Sequence, residues 1–349
     1  MVTQQNPSPE EVQQAVQQQA GKLLSQVAGY VGVRTMDIDL RLGLLGEVAK
    51  HPQGITTDDL ARQMGMDPFY VQVWCRSAYA SDLLGLGESQ GYVLAPYVDR
   101  LLLDQDFPGY MGGLPGIMVQ PELFDQFAEK LPSGERIWWD QCSPTWIQMV
   151  SSTARPFYTR LIPGGLSQIP GLSDRLAQGM RVLDLACGAG VGLIRTAQTY
   201  PQTTVVGLDG DAYSLELTAD TLRQAGLQDR ISLVQSTLED MSASEEFDLV
   251  LINVSMHECR DIEKVTSNVH RALKPDGYFV ISDFPFPDSI EGTRTVPARI
   301  MSGIQFFEAL IDDQLLPTQA FVDLLDKHGF RSVGAFDRTP VHAVTYGQR

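Results

Sequence analysis

The stretch VLDLACGAGVG, residues 182–192, decides the fold, because an apolar run containing one acidic residue leads into glycines at 188, 190 and 192. A glycine turn between a buried strand and a helix lets a ligand approach the backbone beside the positive end of the helix dipole. The dinucleotide fingerprint is G-x-G-x-x-G, whereas this turn reads G-x-G-x-G and Leu193 occupies the place of the third glycine. The spacing disfavours a dinucleotide and leaves other adenosine-bearing cofactors open.

Two acidic residues near the turn indicate which kind of adenosine-bearing cofactor it binds. Asp209 closes the next apolar run, 21 residues after Gly188, where a carboxylate accepts hydrogen bonds from both ribose hydroxyls of an adenosine cofactor. Asp184 lies inside the first run, an awkward place for a charge unless it orients the turn or meets a cationic group. A cofactor that is a sulfonium-bearing amino acid supplies an ammonium there. The motif also lies deep in the chain, with too little sequence after it for a separate substrate domain.

From residue 181 onward, apolar runs alternate with helical patterns. RVLDLA, TVVGLDG, ISLVQS, FDLVLINV and YFVISDF lack period-two alternation, so they predict strands buried on both faces of a parallel sheet. The tail FRSVGAFDRTPVHAVTYGQR alternates and turns near Pro340, which predicts an antiparallel hairpin at the sheet edge. The fold class is therefore α/β, with a doubly wound, mostly parallel, seven-stranded sheet.

The N-terminal part of the chain has helical patterns and then a short hairpin. Ser8, Pro9 and Glu11 form a capping pattern that starts a helix ending near residue 30. An apolar helix follows near 39–50, a short one after Thr57 and a longer one from Asp67, and GLGESQGYVLAP gives two extended pieces around a turn. Three helices and a wing predict a winged-helix domain.

Charge argues against a DNA-binding role for that domain. Its third helix offers Arg76 alone against Asp67 and Asp82, whereas major-groove docking requires exposed Arg and Lys. The formal net charge of the whole chain is −17, which repels the phosphates of nucleic acids. We therefore expect no nucleic-acid partner and favour a structural role at a subunit contact.

Length and composition indicate a globular chain with more than one domain. A length of 349 residues favours two domains, and we assign 1–100 to the helical domain, 101–175 to a helical connector and 176–349 to the sheet domain. No apolar stretch approaches the roughly 20 residues of a membrane helix, and the Gln-rich start lacks the features of a signal peptide. The four cysteines are far apart, with no CxxC pair. A cytoplasmic protein without membrane contact, disulfide or structural zinc is expected.

Four segments resemble the successive motifs of class I S-adenosylmethionine-dependent methyltransferases: VLDLACGAGVG, VVGLDGD, FDLVLINVSMHEC and ALKPDGYFVISDF. The segment GITTDDLARQMGMDPFYVQVW resembles the dimerisation domain of small-molecule O-methyltransferases, most closely a bacterial branch. The resemblance implies a Rossmann-like fold, S-adenosylmethionine as cofactor and a homodimer formed through the N-terminal domain. It places the cofactor as follows: Asp184, Ala186, Gly188 and Gly190 at the methionine part, Asp209 at the ribose, Gly210, Ser236, Thr237 and Leu238 around the adenine, and Asn253 near the methionine and ribose. Relatives often have Asp at the position of Thr237.

His257 is the candidate catalytic base. It follows the fourth strand of the sheet domain, and His257-Glu258-Cys259 is similar to the HDW pattern of O-methyltransferases, although a similar MHE occurs in relatives with other acceptors. A base, a binding residue and a structural histidine all remain open. An HExxH zinc site would need His where Asp261 stands, and the other histidines have no companions at ligand spacing, so no metal is predicted.

The methyl acceptor is expected to bind between the connector and a long insertion after the fifth strand of the sheet domain. Aromatic side chains of the connector could pack between domains or line a pocket, and one of the adjacent Phe306 and Phe307 should face inward. The candidate acceptor-binding residues are Trp146, Met149, Arg155, Tyr158, His257, Asp283, Met301, Gln305 and Phe306. They predict O-methylation of a small aromatic or hydrophobic molecule. Three alternatives remain open: C- or N-methylation, a winged-helix regulator that senses S-adenosylmethionine or another small ligand, and a dinucleotide enzyme.

Overall fold

A computed structural model describes residues 7–88 and 91–349 and divides the chain into two compact units, Met1–Asp104 and Gln105–Arg349. The first six residues of the predicted helical domain, and residues 89–90 in the turn of the predicted wing, lie outside the described part. Within the described part, no helix combines the length and the apolar character that crossing a membrane requires.

In its described residues, the first unit contains four α-helices, one antiparallel hairpin and a π-helical turn at Asp99–Leu103. Its elements are α1 Pro9–Leu42, α2 Leu44–Val48, α3 Thr57–Met64, α4 Pro68–Ala80, β1 Leu84–Leu86 and β2 Tyr92–Leu94. The Ser8 hydroxyl and the Glu11 carboxylate form the reciprocal capping box expected at the start of α1. Leu45, Leu60 and Trp74 belong to the apolar core of this unit.

The first two helices differ from the sequence prediction, which ended one near residue 30 and placed the next at 39–50. The sequence between residues 30 and 42 contains no proline, and α1 continues to Gly43, which adopts the left-handed conformation with φ +77°. The Gly43 N–H donates to the Asp39 carbonyl, and the buried Asp39 carboxylate accepts from the Leu45 N–H at the start of α2. Helix α2 is therefore a short separate turn.

The second unit is a seven-stranded sheet with helices on both faces. The helices are α5 Gly113–Ile117, α6 Asp125–Lys130, α7 Pro144–Arg160, α8 Leu172–Gln178, α9 Val191–Thr199, α10 Ala212–Ala225, α11 Ile262–Ala272, α12 Val296–Leu310 and α13 Thr318–Lys327. The strands are β3 Arg181–Leu185, β4 Thr204–Asp209, β5 Ile231–Gln235, β6 Phe247–Asn253, β7 Leu273–Asp283, β8 Arg331–Thr339 and β9 His342–Gln348.

The strand order is β5-β4-β3-β6-β7-β9-β8, and β9 pairs antiparallel with both β7 and β8. This arrangement confirms the doubly wound, mostly parallel sheet and its terminal hairpin. Neighbouring side chains of β3 pack into different cores, because Leu183 faces α11 and α13 while Val182 faces the segment before β3. Strand β7 begins earlier than predicted, at Leu273, and the Pro-Asp-Gly sequence forms an irregularity within it.

The connector packs within the second unit, above the edge at which the parallel strands end. Ser143 caps α7 by accepting from the Trp146 N–H. Trp146 packs on Phe307 of α12, with ring centroids 4.4 Å apart, and the rings of Phe157 and Phe284 lie 4.9 Å apart. Helices α7 and α12 therefore cover the carboxyl ends of the strands.

Candidate active site

A cavity of about 790 Å³ lies at the carboxyl ends of β3, β4 and β6. The glycine turn lines it through Ala186, Gly188 and Ala189, while α7 and α12 line it through Trp146 and Phe307. Ligands of doubly wound folds bind at this edge of the sheet. One continuous space therefore contains both the turn and the aromatic side chains predicted for the acceptor.

The glycines of the turn serve two different purposes. Gly188 and Gly190 have φ values of +51° and +79°, which residues other than glycine rarely adopt. A Cβ on Gly192 would lie 2.2 Å from the Tyr158 ring and 2.4 Å from Oδ2 of Asp184. Gly192 is therefore needed for the close approach of α9 to these two side chains.

Asp184 is buried beneath the turn with one oxygen unpaired. Its Oδ1 accepts from the Tyr158 hydroxyl at 3.0 Å, while Oδ2 has no hydrogen-bond partner. Burial raises the pKa of Asp184 to about 7; the Tyr158 hydrogen bond opposes this shift and the Asp209 charge adds to it. A buried carboxylate oxygen without a donor is suited to a cationic ligand group.

Asp209 ties the end of β4 to the glycine turn. Its Oδ2 accepts from the Gly188 N–H at 2.8 Å and its Oδ1 from the Asp211 N–H at 2.9 Å, and burial raises its pKa. Nearby, the Thr237 hydroxyl donates to Asp240 at 2.9 Å. The predicted cofactor residues that line the cavity are Ala186, Gly188, Asp209, Gly210, Thr237, Leu238 and Asn253. Gly190 and Ser236 lie next to lining residues in the chain without lining it themselves, and Asp184 lies two residues before the lining residue Ala186.

A directed chain of hydrogen bonds orients Asn253, which lines the cavity at the end of β6. The Arg160 Nε donates to Nδ1 of His342 at 2.9 Å, and Nε2 of His342 lies 2.8 Å from the Ser282 hydroxyl. That hydroxyl donates to Oδ1 of Asn253 at 2.7 Å. Because arginine can only donate, His342 must donate through Nε2 to Ser282. Burial and the charges of Arg160 and Arg338 keep the pKa of His342 well below its usual value, so the ring is neutral.

The consequence is a fixed orientation of the Asn253 amide. Its oxygen accepts from Ser282, and its buried NH2 group has no hydrogen-bond partner among the residues that the structure describes. Residues 160 and 342 are far apart in the sequence, and no local pattern predicts this network. Asn253 therefore offers a hydrogen-bond donor to an oxygen of a bound ligand.

His257 is enclosed among carboxylates after β6. Its Nδ1 lies 2.8 Å from Oδ1 of Asp283, and its Nε2 lies 3.7 Å from Oε2 of Glu308 and 4.0 Å from Oε1 of Glu258. Burial opposes the charged imidazolium, but Asp283 and Glu308 outweigh it and raise the pKa of His257 well above its usual value. His257 does not itself line the large cavity, whereas Glu258 and Glu308 do.

The spacing of these groups also bears on metal binding. One ligand atom each from His257, Glu258 and Glu308 lies within 4.8 Å of the others, which would accommodate a cation. Glu308 comes from α12, far along the chain, so inspection of HExxH-type spacing could not find this grouping. The expectation of no metal stays a prediction.

The predicted acceptor residues divide into those that line the cavity and those that do not. Trp146 and Tyr158 line it. Met149 packs on Gly116, and Met301 is buried in the apolar core around α12. Gln305 donates to the Asp313 carbonyl and accepts from the Leu315 N–H. Arg155 and Asp283 do not line the cavity either, although Asp283 holds His257.

Phe306 differs from the sequence expectation. It is 36% exposed and packs on Phe124 and Phe127, whereas Phe307 is 2% exposed and lines the cavity. The two neighbours point about 100° apart around the helix, so one of them had to face outward. The inward set, Ile304, Phe307, Glu308 and Ile311, recurs at helical spacing, and that signal could have identified Phe307 and Glu308.

Several lining residues were not among the sequence-predicted acceptor residues. They bring aromatic rings and carboxylates to one part of the cavity: Trp138, Trp139, Phe307, Glu258, Glu308 and Asp313. The Arg260 guanidinium also lines this part and lies 3.9 Å from the centre of the Trp138 ring. The cavity is therefore aromatic, as predicted, but also acidic.

Comparison with known proteins identifies relatives of this chain. A family described as a methyltransferase domain matches residues 176–320. The chain is 35% identical over 169 residues to an uncharacterized methyltransferase of Synechocystis sp., an alignment covering 48% of this chain and 74% of that protein.

Two solved structures share the fold over nearly the whole chain. A proposed O-methyltransferase of Nostoc punctiforme superposes with a TM-score of 0.71 at 18% identity, covering 99% of this chain and 100% of the other. Human N-acetylserotonin methyltransferase, solved in complex with S-adenosylmethionine, superposes with a TM-score of 0.67 at 14% identity, covering 100% and 99%. At these identities the likeness concerns the fold.

Proposed function

The chain belongs to the methyltransferase-domain family, and we propose that it transfers a methyl group from S-adenosylmethionine to a hydroxyl of a small aromatic or hydrophobic molecule. The observation that carries the proposal is the single cavity that joins the glycine turn to the aromatic side chains of α7 and α12, with His257 enclosed beside it. C- or N-methylation on the same scaffold is the alternative.

The residues around the turn fit S-adenosylmethionine. The unpaired Oδ2 of Asp184 suits the ammonium of the methionine part, and the Asp209 carboxylate suits the ribose hydroxyls. The unpartnered NH2 of Asn253 suits an oxygen of the methionine or ribose part. Thr237 and Leu238 line the same cavity, and we assign them to the adenine. When bound, the cofactor supplies a methyl group that its sulfonium already activates.

The remaining work of the protein is to position the acceptor and to accept its proton. In the proposed mechanism, the aromatic rings of Trp146 and Phe307 hold the acceptor, and His257 is the base. Asp283 fixes the ring of His257 through Nδ1 and leaves Nε2 toward Glu308 and Glu258, both of which line the cavity. Because Asp283 and Glu308 raise the pKa of His257, the neutral form of the ring is the one that accepts the proton: the acceptor hydroxyl releases its proton to Nε2 by way of the Glu308 or Glu258 carboxylate, and the rate should rise with pH.

Binding and turnover measurements test the function. We expect S-adenosylmethionine and S-adenosylhomocysteine to bind in calorimetric titrations and NAD to show no heat of binding. A panel of small phenols supplied with methyl-labelled cofactor should yield S-adenosylhomocysteine, and the NMR spectrum of the product should place the methyl on oxygen. Tight binding of NAD alone would overturn the proposal, and a methyl on carbon or nitrogen would favour the alternative.

Ser282→Ala is expected to lower both the melting temperature and the affinity for S-adenosylhomocysteine. The change leaves Nε2 of His342 and Oδ1 of Asn253 buried without partners, which costs on the order of 1–3 kcal/mol for each group. It also frees the Asn253 amide to turn its NH2 away from the cofactor. Thermal melting and calorimetric titration measure the two effects.

Ser302→Ala is the matched control, because its hydroxyl donates to the Ala298 carbonyl of its own helix. This variant should change neither quantity appreciably. Equal cofactor affinity in Ser282→Ala and the wild type would show that the hydrogen-bond chain does not orient Asn253 for binding.

We also propose that the first unit is a winged-helix dimerisation module that pairs with a second copy through α1. Val16, Ala20, Leu23, Val27 and Tyr30 repeat at alternating spacings of four and three residues along α1, and all are exposed. Such a stripe is the pattern of a helix that packs against another helix. Light scattering should give twice the 38.5 kDa mass of one chain; a monomer at micromolar concentration would refute this assignment.

A further inference from the structure

The part of the cavity beside His257 has an acidic wall, which we define as Glu258, Glu308 and Asp313. Glu308 is 2% exposed, and its Oε2 has no hydrogen-bond partner. Burial, and then the Glu308 charge, raise the pKa of Glu258 well above its usual value and that of Asp313 to about 6. His257 is already shared between Asp283 and Glu308, and with Glu258 and Asp313 the acidic groups here outnumber the two basic ones, His257 and Arg260.

Aromatic faces border the same space. Trp139 and Trp146 both pack on Phe307, with ring centroids 5.2 and 4.4 Å from it. The Arg260 guanidinium lies over the Trp138 ring, so a ring of this cavity already carries a cation on its face. Among the lining residues that the structure describes, Arg260 is the one Lys or Arg.

Excess carboxylate beside aromatic rings is the composition that binds an organic cation. A metal ion at the same place would need Nε2 of His257, and His257 does not line the large cavity, whereas Glu258 and Glu308 do. An organic cation needs the carboxylates and the rings, both of which line the cavity. The observations therefore favour an ammonium over a metal.

We propose that the methyl acceptor carries a basic nitrogen that is protonated in solution and docks against Glu308 at the acidic wall, while its ring packs on Trp146 and Phe307. This inference rests on the proposed function and names the class of acceptor: a hydroxylated aromatic molecule with an amine side chain. Its charge complements the carboxylates, which otherwise repel one another.

Three phenols of similar size and different charge test the inference by binding, without turnover. Tyramine is the cationic probe, 4-ethylphenol the neutral one and 3-(4-hydroxyphenyl)propionate the anionic one, each titrated into protein saturated with S-adenosylhomocysteine. We expect tyramine to bind at least about tenfold more tightly than 4-ethylphenol, and the anion most weakly. Glu308→Gln should remove this preference and leave the affinity for 4-ethylphenol unchanged.

Glu263→Gln is the control, because it removes the same charge from an exposed site that pairs with Lys327 and His328. It should keep the preference for tyramine. The affinity ratio of S-adenosylmethionine to S-adenosylhomocysteine should be the same in Glu308→Gln and the wild type; a lower ratio in the variant would assign the wall to the sulfonium and overturn the inference.

Equal binding of the three phenols, or no binding of tyramine at millimolar concentration, would also overturn it. Binding of Zn²⁺ alone that is lost in Glu308→Gln, without a preference for tyramine, would make the cluster a metal site instead. Methylation of neutral phenols without any charge preference would refute this inference and leave the proposed function intact. Selective binding of tyramine without methyl transfer to oxygen would support the cation site at Glu308 and refute the proposed O-methylation.

Discussion

Asp184→Asn is expected to stabilise the protein at pH 8 and, at the same time, to weaken the binding of S-adenosylmethionine. The pKa of Asp184 is about 7 in the folded chain against an ordinary value of 3.8. The folded state therefore keeps a proton that the unfolded state releases, and stability falls as the pH rises toward and through 7. At about 1.4 kcal/mol per pKa unit, the unfolding free energy lost through the ionisation of Asp184 is on the order of 4 kcal/mol at pH 8.

An asparagine does not titrate, so it causes no loss of stability as the pH rises. Its buried NH2 nevertheless lowers the unfolding free energy by about 1–3 kcal/mol where it lacks a partner. The difference in unfolding free energy between the variant and the wild type should therefore shift in favour of the variant by on the order of 3 kcal/mol from pH 5 to pH 8. Melting temperatures at pH 5, 6.5 and 8 measure the shift. Asp220→Asn, an exposed change on α10, should follow the wild type at all three values.

In the proposed site, the same substitution removes the carboxylate that we assign to the cofactor ammonium. A hydrogen bond to a charged group is worth about 1.5–3 kcal/mol, so the affinity for S-adenosylhomocysteine should fall about 10- to 150-fold in calorimetric titrations at pH 8. A difference in melting temperature between Asp184→Asn and the wild type that is the same at all three pH values would contradict a pKa of about 7 for Asp184. Unchanged affinity in a folded variant would remove Asp184 from the cofactor site.

The sheet could be predicted from the sequence because its signal is local. Each central strand is an uninterrupted apolar run bounded by a turn, and this pattern holds whatever the strand packs against. The length of α1 was missed because propensity alone does not end a helix, and the real stop signal, Gly43, lay beyond the predicted boundary.

That Gly188 and Asp209 lie together at the cavity was predictable for the same reason, since they follow or end adjacent strands; their binding of the cofactor stays a prediction. The acceptor side depends on which face α12 turns inward, and that is set by packing against Trp146. Sequence therefore placed Phe306 in the cavity where the structure places Phe307. His257, at the end of a strand, pairs with Glu308 on a helix that is distant in the sequence. The spacing of residues along the chain therefore could not predict this pairing.

His257→Ala is expected to lower kcat about 10²- to 10⁴-fold while the affinity for S-adenosylhomocysteine stays within about twofold. The reason is that the sulfonium already activates the methyl group, so proton removal from the acceptor is the step left to a side chain. His257 does not line the cavity to which we assign the cofactor. Initial rates at saturating acceptor and cofactor, beside calorimetric titration, separate the two quantities.

A structural loss must be distinguished from a catalytic one, because the substitution leaves the Asp283 carboxylate buried with the Phe284 N–H as its remaining partner. Rates are therefore compared below the melting temperature of the variant, and added imidazole should restore part of kcat by occupying the space that the side chain leaves. His328→Ala is the control, since this histidine pairs with Glu263 away from the cavity. Unchanged kcat in folded His257→Ala would assign proton removal to another group, and the carboxylate of Glu308 would be the next to test.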